Sequence, residues 1–162
     1  MHNISTVTYC RNVALVTLRN VPGEIGIIGD ILTTIADNGI NVDMISQTAP
    51  QGHTISVAFS ISMDDMGMLM PIVNGMKQKY QELNMELSVG MTKLSFFDEG
   101  MVNTPGVAAK VFTMLAEGNI QVNMITTSTL DISILIPAHD EDAALTLCRE
   151  TYETEPEEIP FS

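Results

Sequence analysis

The stretch NTPGVAAKVFTMLAEGNIQVNMITTS (103–128) has an earlier counterpart in the same chain, GEIGIIGDILTTIADNGINVDMISQT (23–48). Aligning Gly26 with Gly106 sets an offset of 80 residues that holds without a gap through Ile45 and Ile125. Along it Ala36 meets Ala116, Ile40 meets Ile120, Val42 meets Val122 and Met44 meets Met124. These are core-type positions, as a duplicated supersecondary unit requires. Asn38-Gly39 and Gly118-Asn119 supply residues that tolerate positive φ where each helix ends.

Outward from the repeat, the first copy reads in order. NVALVTLRN (12–20) is a strand, and a helix over 24–38 places Ile28, Ile31, Leu32 and Ile35 on one face. NVDMISQ (41–47) and TISVAFSIS (54–62) are strands around the turn TAPQGH, and Ile55, Val57, Phe59 and Ile61 show a period of two. A helix over 65–83 buries Leu69, Val73, Met76 and Tyr80, and MELSVG (85–90) is the fourth strand. The order is βαββαβ, the ferredoxin-like split βαβ unit. The second copy follows with a strand at 92–97, a helix at 105–118, a hairpin of VNMITTS and LDISILI, and a last helix at 140–153. Asp64-Asp65 and Asp140 are expected to cap the helices that follow them.

The second copy then stops. TEPEEIPFS is too acidic and Pro-rich for a central strand, while ISTVTYC (4–10) precedes the first copy and has no role in it. The economical fold class is therefore α+β, two ferredoxin-like units packed together, the first inserted in the second. Unit 1 spans 12–90, unit 2 takes 1–11 and 91–154 with the N-terminal strand completing it, and 155–162 is a solvated, frayed acidic tail.

Twenty acidic against seven basic residues give a net charge of −13. That field repels phosphate backbones and argues against nucleic acid. With the low aromatic share of 5%, it also disfavours a ferredoxin-like RNA-binding module. No apolar run approaches the roughly 18 residues of a membrane span, and the start MHNISTVTYCRN has no signal-peptide pattern; a cytoplasmic protein is expected. Cys10 and Cys148 have no CxxC partner and read as ordinary thiols, and His2, His53 and His139 form no metal-binding spacing. No cofactor is expected. No nucleophile has a base nearby in sequence, so the chain reads as a binding module without chemistry of its own. Both copies place Gly and Pro just ahead of a helix, in NVPGEIG and MVNTPG. A helix start offers N–H groups and the positive end of the dipole, a seat for a carboxylate.

GINVDMISQT and TPGVAAKVFTMLAEGNIQVNMITTSTLDISILI, with RNVALVTLRNVPG and HDEDAALTLCRETYE, resemble the paired ACT domains at the C-terminal end of aspartokinases. The likeness covers nearly all of the chain except the acidic tail. It implies a non-catalytic regulatory pair, as a separate subunit, an excised portion or a stand-alone sensor. The effector would be a feedback-inhibiting amino acid, lysine or threonine, bound in the groove between units. By position, the first unit would contribute Gly23, Glu24, Ile25, Gly26, Ile27 and Ile28, with Gln47 at the end of its second strand. The second would contribute Gln121, Val122, Asn123 and Ser128. N–H groups around Gly26 and Ile28 would hold the effector carboxylate, Gln121 and Val122 its ammonium, and Gln47 and Ser128 its side chain. The family's Asp-Lys-Pro-Gly loop is replaced here by Gly23-Glu24-Ile25-Gly26, and Gln121 stands where Asn is usual. Asn123 and Thr129 stand where lysine-sensing relatives carry acids. Partners implied are a homodimer through sheets and helices and an aspartokinase catalytic subunit. A sensor acting on a different partner protein is the alternative.

Overall fold

Among residues 4–161, which the computed structural model describes, the chain runs β1 (Thr6–Pro22), α1 (Ile25–Asp37), β2 (Ile45–Gln47), β3 (Thr54–Ser62) and α2 (Met66–Lys79). It continues through β4 (Asn84–Phe97), α3 (Val107–Glu117), β5 (Met124–Thr127), β6 (Asp131–Pro137), α4 (Glu141–Tyr152) and β7 (Glu157–Glu158). His2 lies outside the described residues. Two compact units share these elements, one made of Asn12–Val89 and the other of residues 4–11 with Gly90–Phe161.

In the first unit the strands lie in the order β2-β3-β1-β4. β3 pairs antiparallel with both β1 and β2, Phe59 meeting Val16 on one side and Ile45 on the other. The period-two residues Ile55, Val57, Phe59 and Ile61 are all buried, against Ile28, Ile31 and Ile35 of α1 and Leu69, Val73 and Met76 of α2. Each such side chain contributes about 1.5–3 kcal/mol on leaving water. The second unit repeats the plan as β5-β6-β4, with β1 beside β4 and β7 beside β1. Its core gathers Phe96, Ile132, Ile134 and Ile136 from the sheet with Val111, Met114, Leu115, Leu145 and Cys148 from the helices.

The repeat extends to hydrogen bonds. After α1, Gly39 takes φ 77° and Ile40 N–H donates to Ile35 O at 3.3 Å; after α3, Asn119 takes φ 53° and Ile120 N–H donates to Leu115 O at 3.0 Å. Asp43 N–H donates to Ser60 O, as Asn123 N–H does to Leu135 O. The hairpins diverge: Ile45 pairs with Phe59 and Ile125 with Ile134, so the spacing is 14 residues in one and 9 in the other.

Several expectations are corrected. The strands read at 4–10 and 12–20 are one strand, β1, and those at 85–90 and 92–97 are one strand, β4. Asn12 and Gly90, both at φ 65°, lie within these strands without ending them. α2 ends at Lys79, because Tyr80 turns extended (φ −119°, ψ 90°), and Leu83 reaches the core through a turn. Asp65 and Asp140 stand at the heads of α2 and α4 but neither side chain makes a cap bond. Ser62 instead accepts from Asp64 N–H, in the single turn ahead of α2. The acidic tail is not frayed: β7 pairs in parallel with β1, Thr8 against Glu157 and Tyr9 against Glu158.

Candidate functional site

In the first unit β1 delivers the chain to the head of α1 through Gly23 and Glu24. Gly23 N–H donates to His53 O at 2.9 Å, and a Cβ there would lie 3.4 Å from the same oxygen, so the loop tolerates little bulk. Glu24 precedes the helix without capping it by its side chain. Its carbonyl accepts from Ile27 N–H at 3.0 Å and Ile28 N–H at 3.4 Å. The Ile28 amide is therefore engaged within α1. The N–H groups a carboxylate can reach are the first ones, those of Ile25 and Gly26. Gly26 has no atom near its Cβ direction, Ile25 is 83% exposed, and Ile28 points into the core. A depression of about 370 Å³ opens beside this loop, lined by Pro22, Gly23, Glu24, Pro50, Gly52 and His53.

Gln47 ends β2, pairs with Val57 and is exposed. Solvent therefore satisfies its amide, which needs no partner within the unit. Pro50, Gly52 and His53 were missed from the sequence. Their signal was the longer turn TAPQGH of the first hairpin, absent from the second.

In the second unit Gln121 and Asn123 are exposed, and Val122 is half-buried against the core. Ser128 closes the β5–β6 turn. Its hydroxyl donates to the Asp131 carboxylate and accepts from Leu130 N–H at 3.2 Å and Asp131 N–H at 3.1 Å. That hydroxyl is saturated by the turn it builds. α3 starts two positions later than α1 in the repeat, because Gly106 at φ 88° forms its left-handed entry.

ACT-domain sequence profiles match twice, over residues 16–67 and over residues 94–152. The chain belongs to the ACT-domain family. It is homologous to the regulatory region of aspartokinases: it is 35% identical over 130 residues to an aspartokinase of Bacillus sp. strain MGA3, covering 80% of this chain and 32% of that protein. An aspartokinase of Thermus thermophilus is 32% identical over 145 residues, covering 86% of this chain and 35% of the relative. The chain thus spans about a third of the length of the curated relatives it matches. Among solved structures it is similar to the regulatory subunit of aspartate kinase from Thermus thermophilus in its ligand-free form. The TM-score is 0.83 at 27% identity, over 93% of this chain and 99% of that one. The aspartate kinase of Synechocystis superposes with a TM-score of 0.86 at 27% identity, over 94% of this chain and 27% of that one. These residues of the ACT pair correspond to the non-catalytic, regulatory portion of the enzyme.

Away from the loops, the second unit holds a buried carboxylate in an ion pair. Glu141, 7% exposed at the head of α4, receives Arg11 Nη2 at 2.7 Å and Nε at 3.0 Å, and Thr92 Oγ1 at 2.9 Å. The Arg11 hydrogen bond holds the Glu141 carboxyl below its ordinary value against the opposing effect of burial, with Thr92 assisting. Burial pushes the Cys148 thiol up to about 12, so it is an inert core group. Among the described residues no group of His, Cys, Asp and Glu has the makings of a metal site, and no helix is long and apolar enough to cross a membrane.

Proposed function

We propose that this ACT pair is the amino-acid-responsive regulatory part of an aspartokinase, binding lysine or threonine and passing its occupancy to a catalytic subunit. The observation that carries the reading is the likeness to the Thermus thermophilus regulatory subunit over 99% of that chain. A solved structure of aspartokinase alpha and beta subunits, similar over 93% of this chain at a TM-score of 0.83, supports a partner subunit. The first unit seats the effector carboxylate on the opening N–H groups of α1, beside Gly23 and Glu24, with Gln47 reading the side chain. The second unit offers the carbonyls of Gln121 and Val122 to the ammonium, with Asn123 and Ser128 as walls. Effector bound better by one arrangement shifts the population toward it. The chain acts in the cytoplasm as a homodimer paired through ACT sheets and helices. Its domains are 12–90, inserted in a second domain of 1–11 and 91–154.

Thermal denaturation against each of the twenty amino acids tests this. At a hundredfold excess over Kd, the true effector stabilises the fold by about 2.7 kcal/mol, and lysine or threonine is the expected hit. Gln47→Ala removes the shift and leaves the unliganded melting point unchanged. If no amino acid moves the transition of the folded protein, the effector reading falls. If a shift survives Gln47→Ala, the site lies elsewhere.

A further inference from the structure

β7 is two residues long, yet the chain commits several devices to holding it. Ile159 N–H donates to Tyr9 O at 2.8 Å, beyond the Thr8–Glu157 and Tyr9–Glu158 pairs. Pro156 is buried. Arg149 Nε meets the Glu155 carboxylate at 2.9 and 3.0 Å, and Arg11 Nη1 stands 3.6 Å from Glu158. Only seven residues of the chain are Lys or Arg, against twenty acids, so two of them serving one short tail is a pointed use of scarce charge.

The covered edge differs from the others. The edge strands β2 and β5 have three and four residues, short enough to make poor templates. The N-terminal stretch of β1, residues 6–11, is longer and presents the backbone groups of alternate residues on the side away from β4. β7 takes up that side and is built to accept nothing further. Pro156 and Pro160 bracket it and have no N–H to donate, and the strand itself is Glu157-Glu158. Charge and proline on an outermost strand are the means by which sheets are stopped.

We propose that segment 155–161 is a built-in terminator, occupying the edge of β1 that would otherwise pair with the same edge of a second copy of this chain. With the tail docked, β1 is closed to a neighbour. With the tail displaced, two β1 edges meet and the assembly grows by one further interface. This goes beyond the regulatory reading above and uses no amino-acid effector, so the two fail separately.

Size-exclusion chromatography with light scattering tests it on the full chain, on a chain ending at Thr154 and on Ile159→Pro, which removes the N–H given to Tyr9. The truncated chain is expected to reach roughly twice the mass of the full chain as concentration rises, and to return when a synthetic peptide of residues 155–161 is added. Ile159→Pro shows the same change at higher concentration. If both variants keep their circular dichroism and the full chain's mass at every concentration, the proposal is overturned. If the truncated chain does not fold, Ile159→Pro decides alone, and an unchanged mass overturns it.

Discussion

Glu141 is a carboxylate almost out of water, held by a two-pronged Arg11 and a threonine hydroxyl. Removing Arg11 leaves the Glu141 carboxylate buried without compensation, whereas Arg11 itself is half-exposed. The sign of its pH dependence follows from the lowered folded-state value. Stability from Glu141 is complete above its unfolded value of about 4.3, and is lost as pH falls through the lower value of the folded protein. Urea denaturation between about pH 6 and pH 2.5 should therefore show an acid loss that Glu141→Gln flattens. A slope equal to the parent's would mean that other carboxylates dominate. None of this was legible beforehand, because Glu141 sits in the acidic run HDEDAALT with no Lys or Arg in it, and Arg11 is 130 residues away. Gln47 and Ser128 show the same limit: position marked them, but only the folded chain shows one exposed and the other saturated by its turn.

The helix ends are where element-level reading was strongest. The pairs Asn38-Gly39 and Gly118-Asn119 do hold the left-handed residue, Gly in one copy and Asn in the other. Gly39→Ala should cost about 1 kcal/mol, since its Cβ meets open space and only the positive φ resists it. Asn119→Gly should be neutral or stabilising by a few tenths of a kcal/mol. Chemical denaturation measures both, and equal effects at the two sites would contradict a purely backbone origin. Gly118 differs: a Cβ there comes 2.4 Å from Leu147 Cδ1, so Gly118→Ala forces that side chain to move between α3 and α4. The sites where reading erred were those of competition between signals. Asp65 and Asp140 have the chemistry of caps, yet each lies in a helical backbone conformation that turns its side chain away from the cap position.

At the scale of the molecule the net charge of −13 sets the field. Raising salt from about 0.01 to 0.15 M shortens the Debye length from roughly 30 to 8 Å and damps self-repulsion. The ion pairs Arg19–Glu86 and Lys79–Asp30 are exposed and weak, so little attraction is lost in exchange. The melting temperature should rise over that range; a fall would show that the pairs outweigh the net field. The duplication, the α+β class and the apolar faces of α1, α2 and β3 were determined by the sequence alone, because periodicity and turn chemistry act over a few residues. What only the tertiary structure decided are the distant meetings: Glu141 on Arg11, β7 on the edge of β1, and the wall of Pro50, Gly52 and His53 beside Gly23. Such contacts join residues with no shared local pattern, and their energies come from burial and hydrogen bonding that exist only once the chain has closed on itself.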